Sequence, residues 1–313
     1  MSADRPANPG DAAISSPDAQ EAGAVFDLGY QPYVGERLGR SGALKAMVKD
    51  GLRRSFGIRR KARAKVYPWL LASIALLPAI VFVGIAFIFS TFSADAESPF
   101  GGHAQYIGLV GTMVALFVAS AAPGLLVPDR EDGVLAVYSS RPVTSRDYML
   151  GRVTALGLIT SAFLIVPNLV MYFGFAALDS RGFGSALINN IDDWNKILVS
   201  TLAYVVGYGA PALLVSTYAK RIGPAAGTYL AVMFLSPAFA EAFQVLDLDF
   251  AKYGTLISLW QHPEVIRNWA FGESQGGIAM IDAGFAAWHS AVIIVAVAIA
   301  TAYLMTRRYR REL

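Results

Sequence analysis

Residues 67–92 read YPWLLASIALLPAIVFVGIAFIFSTF and contain no Asp, Glu, Lys or Arg. An apolar run of about 18 residues or more is long enough to cross a hydrocarbon core roughly 30 Å thick. Working outward, five further segments of this kind follow, at about 104–127, 151–178, 197–218, 225–246 and 284–306. The composition agrees. Of 313 residues, 55% are hydrophobic and only 16% charged, with a mean hydropathy of +0.47. A soluble chain of this length exposes more charge. The sequence therefore predicts an all-α polytopic membrane protein with six transmembrane helices over residues 67–306.

The flanks of the first span differ from it sharply. Residues 1–24 are rich in Ala, Pro, Ser and Asp, lack a periodic apolar face, and are expected to form a disordered tail. Residues 25–66 form an N-terminal segment that ends in a basic amphipathic helix. Leu44, Val48, Leu52 and Phe56 recur every four residues, while Lys45, Lys49, Asp50, Arg53 and Arg54 fill much of the remaining surface. Such a helix lies in the membrane interface with its cations toward anionic headgroups. Lys and Arg concentrate before span one, in the 128–150 loop, at Lys220 and Arg221, and in the tail 307–313. This bias predicts cytoplasmic N- and C-termini. The opposite side then receives the 93–103 loop, residues 179–196 and the long segment 247–283. The last contains YGTLISLWQHPEVIRNWAF, in which short re-entrant or interfacial helices would bury Leu256, Leu259, Val265 and Ile266. Trp260 and Trp269 suit an interfacial belt, and Pro263 is expected to break the segment in two.

The loop between spans two and three reads LLVPDREDGVLAVYSSRPVTSRDYMLGR. Asp129, Arg130, Glu131 and Asp132 form a mixed-charge turn, and Gly133 precedes the short apolar run VLAVY. Thr144 and Asp147 have capping-box spacing, so a helix is expected to start there and continue into span three. A short helix held between two spans can pass a push from a partner into the bundle. Leu135 and Tyr138 are its candidate contacts with a partner's groove, and its charges would set orientation.

This loop and the span before it resemble the ABC-2 type family of ABC transporter permeases. The resemblance rests on Asp129, Arg130, Asp132, Gly133 and Leu135, then on Ser140, Arg141, Pro142, Val143, Thr144, Arg146, Tyr148, Leu150, Gly151 and Arg152. Ser145 is an extra residue relative to the family pattern. The stretch FDLGYQPYVGERLGR, residues 26–40, is similar to the opening of bacterial permeases of this family, in which an amphipathic elbow helix follows. The resemblance covers nearly everything after the first 24 residues. It implies a transmembrane subunit of an exporter in the bacterial cell membrane, with a coupling helix docked on a separate cytoplasmic ATPase. Asp129, Arg130, Asp132, Leu135, Tyr138, Arg141 and Arg146 would form that coupling surface. It also implies a second permease subunit, the same chain or a related one. ATP and Mg would be bound by the partner ATPase, and this chain would bind no cofactor.

The residues exclude other chemistry. There is no G-x-x-x-x-G-K-[ST] phosphate loop, no H-E-x-x-H, no G-x-S-x-G and no cysteine. His103, His262 and His289 have no metal-ligand spacing, so no metal is expected. Charged residues are nearly absent from the spans, which argues against ion coupling. Glu241 and Asn168, the latter beside Pro167, are the candidates for a substrate path. Gly223 and Gly227 have G-x-x-x-G spacing, read as either a loop turn or a close helix crossing. An ion-coupled secondary transporter and a non-transporting membrane scaffold are the alternative functions.

Overall fold

The computed structural model describes residues 39–58, 61–92, 102–139, 143–246 and 250–310. The expectations for residues 1–24, for 25–38 and for Arg141 lie outside the described residues. Eleven α-helices occur among those described: α1 Gly39–Ser55, α2 Ala62–Phe92, α3 His103–Glu131, α4 Val134–Ser139, α5 Ser145–Leu178, α6 Phe183–Asn189, α7 Ile191–Tyr218, α8 Ile222–Val245, α9 Gln261–Phe271, α10 Ala279–Asp282 and α11 Ala287–Tyr309. A 3-10 turn at Ala251–Ile257 precedes α9. Six of the helices, α2, α3, α5, α7, α8 and α11, are long and apolar enough to span a membrane. The described residues contain no β-strand.

Burial orders these six. In their most apolar stretches α3 is 72% buried and α7 67%, against 22% for each of α2, α8 and α11. The centre of the bundle is therefore α3 against α7, with α5 half-covered and the other three on the periphery. Tyr106, Tyr204 and Tyr208 are wholly enclosed there. The peripheral helices are apolar on their exposed sides, as at Leu70, Leu77, Ile80 and Phe87 of α2, which is the surface a bilayer or another apolar helix covers.

The amphipathic helix expected to end the 25–66 segment stops well before residue 66. It ends at Ser55 because Gly57 takes φ +65°. Ile58 N–H donates to Arg53 O at 2.8 Å and Gly57 N–H to Arg54 O at 3.1 Å, a Schellman stop. Lys61 immediately precedes α2, whose first turn includes Lys65. The capping box at the start of α5 is present: Thr144 Oγ1 accepts from Asp147 N–H, and Asp147 accepts from Thr144 N–H.

The long segment before the last span does form short helices, but Pro263 does not break them. It sits in the first turn of α9, where its missing N–H would have no intrahelical partner. There it approaches α7 closely, since a β-carbon on Gly207 would come within 2.6 Å of Pro263 Cγ. Val265 and Ile266 are buried as expected, whereas Trp269 is exposed and Leu256, Leu259 and Trp260 are half-buried. At Gly223 and Gly227 an added β-carbon would meet nothing, so no close crossing among the described residues uses them.

Candidate functional site

At one end of the bundle a few charged residues are turned inward. Asp129 near the end of α3 and Arg152 of α5 both have 0% side-chain exposure. Arg152 Nη2 donates to Asp129 Oδ2 at 2.6 Å, and Arg54 Nη1 of α1 donates to Asp129 Oδ1 at 2.6 Å. Asp50, one turn before Arg54, closes the ring, with Arg152 Nη1 at 3.0 Å and Arg54 Nε at 2.8 Å. Two carboxylates and two guanidiniums thus alternate, binding α1 to α3 and α5. Burial opposes the charge on Arg54, but its hydrogen bond and charge pairing with Asp129 outweigh this and raise its pKa. A second clamp fixes the start of α1, where Arg40 Nη2 reaches Asp147 Oδ1 at 2.7 Å and Nε reaches it at 2.9 Å.

Tyr148 joins this ring to the rest of the end face. Its hydroxyl donates to Asp129 Oδ2 at 3.0 Å, and the Arg152 guanidinium lies 5.5 Å from its ring centre. Tyr138 of α4 packs on one side at 5.8 Å, and Tyr309 of α11 on another at 5.2 Å. The short helix, the charge ring and the last span therefore meet on one buried phenol. Spacing alone could have suggested part of this. Tyr148 and Arg152 lie four apart, on one face of a helix, and a cation within an apolar helix requires a partner.

The candidate coupling residues consequently divide into two groups. Asp129 is enclosed. Arg130 closes the C-terminal end of α7, donating to Ser216 O at 2.8 Å and also to Thr217 O and Ala219 O, where a cation offsets orphan carbonyls and the helix dipole. Leu135 is 5% exposed and joins the core, so its apolar surface holds α4 on the bundle, and Tyr138 is half-buried. Asp132 and Arg146 are exposed, as is Glu131 beside them. Gly133 makes the turn into α4 at φ +65°, a conformation glycine adopts without a steric penalty.

On α1 the apolar stripe expected to lie in the membrane interface is half-buried. Leu44, Val48, Leu52 and Phe56 flank the contact, while Met47 and Gly51 form it. A β-carbon on Gly51 would stand 2.5 Å from Ala155 Cβ, and one on Gly151 would stand 3.0 Å from Met47 Cβ. Small residues on both helices allow this crossing. Arg54 is drawn into the ring, whereas Arg53 stays on the outward flank.

The two in-span candidates are separated. Asn168 is fully buried, with Oδ1 2.8 Å from His103 Nδ1 and Nδ2 donating to Leu164 O at 2.7 Å. The carbonyl freed by Pro167 is that of Phe163, so Asn168 does not bond to it. Glu241 is exposed on α8. The polar residues that do share a cavity were not singled out from the sequence. At the far end a space of about 590 Å³ is lined by Gln105, Gln261, Glu264, Arg267 and Asn268 among others. Arg267 is 9% exposed. It donates to Asn268 Oδ1 at 2.6 Å, to Tyr204 Oη at 3.2 Å and to Glu264 Oε1 at 3.2 Å. A β-carbon on Gly108 would fall 2.2 Å from its Nη1, so the glycine is what leaves room for this guanidinium.

His262 locks α9 in place. Nε2 is 3.0 Å from Leu256 O, and Nδ1 is 3.0 Å from Ser290 Oγ of α11. Burial pushes its pKa down to about 4. The folded protein holds this ring neutral, while the unfolded chain protonates it near pH 6.5. Stability from this residue is therefore full above about pH 6.5 and is lost progressively as pH falls toward 4, by about 3 kcal/mol. Thermal unfolding in detergent across that window should show the loss, and His262→Gln should remove this part of the pH slope.

Among the described residues no group of three or more His, Cys, Asp or Glu side chains could hold a metal ion. Compared with known protein families and with characterised proteins, the chain matches no family model and no individual sequence. The fold and site define an all-α, multi-pass membrane protein whose end face is tied together by buried charge.

Proposed function

We propose that this chain is the transmembrane permease subunit of an ATP-binding-cassette exporter, driven by a separate ATPase subunit and paired with a second permease. The end carrying α1, α4 and the basic tail is then cytoplasmic, in keeping with the Lys and Arg bias, and the membrane is a bacterial cell membrane. ATP and Mg belong to the partner.

The observation that carries this reading is the junction at Tyr148. A displacement of α4 acts directly on Tyr138 against Tyr148, and from there on Asp129, Arg152 and Tyr309. Three spans and the elbow helix share that contact, so a load on α4 reaches all of them through rigid groups. Glu131, Asp132 and Arg146 are the exposed charges beside it that would orient a partner, and the cavity at Arg267 would be the outward mouth. The Asp129–Arg130 and Thr144–Arg152 motifs supply the family resemblance.

The test is affinity purification of the tagged protein in mild detergent, with mass spectrometry and an ATPase assay. A co-purifying nucleotide-binding subunit with vanadate-sensitive hydrolysis is the expected result. Reversing the charges at Asp132 and Arg146 together should reduce its recovery at least several-fold while leaving thermal stability unchanged, because both are exposed. Recovery of no such subunit, even after crosslinking, would refute the reading in favour of an ion-coupled transporter or a scaffold.

A further inference from the structure

Three cations on α1 have no place in the ring. Lys45, Lys49 and Arg53 follow one another at four-residue spacing, and none forms an ion pair or side-chain hydrogen bond among the described residues. They edge an apolar depression of about 380 Å³ floored by Leu44, Val48, Leu52 and Phe56. Phe56 also lines a second apolar space, of about 200 Å³, between α2 and α5. That crevice runs past Trp69 and Ala72 to Ala162, Val166 and Pro167. Phe56 and Trp69 pack with ring centres 5.7 Å apart where the two spaces meet.

A basic rim thus leads over an apolar flank into a crevice along two membrane spans. The geometry points to a seat for one anionic phospholipid of the surrounding bilayer, its headgroup on Lys45, Lys49 and Arg53 and an acyl chain in the α2–α5 crevice. Charge complementarity selects this occupant. Asp50 and Arg54, on the neighbouring face, are consumed by the ring, so among the described residues the three positive charges of the rim are unneutralised. A zwitterionic headgroup would leave them unmatched, and a soluble anion would leave the crevice unfilled. The lipid is held as a single bound molecule, which is more than an interfacial helix resting on the headgroup layer requires. It would brace α1 against α2 from the side opposite Met47 and Gly51. This inference is independent of whether the protein transports anything.

Native mass spectrometry of the detergent-purified protein tests it, using phosphatidylglycerol and phosphatidylethanolamine with identical acyl chains. Each cation near an anionic headgroup is worth about a five-fold preference. The wild-type protein should retain phosphatidylglycerol at least ten-fold over phosphatidylethanolamine by that same scale. Lys45→Gln/Lys49→Gln/Arg53→Gln should bring the two lipids to near parity in a protein that still folds. Ala162→Phe should plug the crevice, lowering retention of both lipids while keeping the ratio between them. Equal retention by the wild-type protein, or a preference that survives the triple substitution, would overturn the proposal. So would an Ala162→Phe variant that still folds and retains lipid as the wild type does.

Discussion

Asp129→Ala is expected to destabilise the protein by about 3–5 kcal/mol, the usual cost of removing one partner from a buried ion pair. The side chain is wholly enclosed and accepts from Arg54, Arg152 and Tyr148. Its loss leaves a completely buried guanidinium at Arg152 with only Asp50, itself 42% exposed, as a charged partner. Asp129→Asn preserves shape but turns an N–H₂ toward one of the two cations, so it should also destabilise. The informative comparison is a double-mutant cycle with Arg152→Met. If the penalty comes from an uncompensated buried charge, removing both members should cost less than removing Asp129 alone. Thermal unfolding in detergent reads all four proteins. An Asp129→Ala variant that melts like the wild type would show that the ring does not hold α1 to the bundle.

Gly51→Ala is the second large effect, and its sign is the diagnostic. At an ordinary helix position this change stabilises by about 0.5–1 kcal/mol. Here the new methyl would lie 2.5 Å from Ala155 Cβ, and neither β-carbon can rotate away. The helices must separate, at a cost of about 1–3 kcal/mol for overpacking. Separation also stretches the 2.6 Å bond from Arg54 to Asp129. Moving the methyl to the other helix, as Gly51→Ala/Ala155→Gly, should restore stability. Thermal unfolding in detergent reads the sign, and a Gly51→Ala variant that melts at or above the wild type would mean that the crossing tolerates the methyl.

These two effects meet at one structural element. Helix α1 is held by a close glycine crossing on one face, by the charge ring at its C-terminal end and by Arg40 on Asp147 at its start. In the proposed exporter such an element would move with the end face as a unit. Loosening it by either substitution should uncouple nucleotide hydrolysis in the partner from transport before it prevents membrane insertion.

Much of the architecture was legible in residue order. Six long apolar blocks, charged only at Arg152 and Glu241, permit few structures other than spanning helices, because a bilayer offers no partner to an open backbone. Thr144 and Asp147 announced the start of α5, since a capping box is a contact between residues three apart. The helical pieces between α8 and α11 were legible in the bulky apolar residues of that segment, although Pro263 proved to begin a helix.

What the sequence alone could not decide was which charges face outward. Asp129, Arg130, Asp132 and Arg146 read alike as members of one polar loop. Only the packing of α1, α3, α5 and α7 encloses Asp129, draws Arg130 onto the end of α7 and leaves the other two exposed. Local periodicity also marked Leu44, Val48, Leu52 and Phe56 as the interfacial stripe of α1, while the close approach to α5 is at Met47 and Gly51, where a missing side chain is what allows it. The sequence by itself determined the number and order of the spans, because hydrophobicity and capping are properties of neighbouring residues. The tertiary structure decided the ring at Asp129, the junction at Tyr148 and the cavity at Arg267. Each joins residues distant along the chain, and burial and charge pairing exist only once the helices have packed.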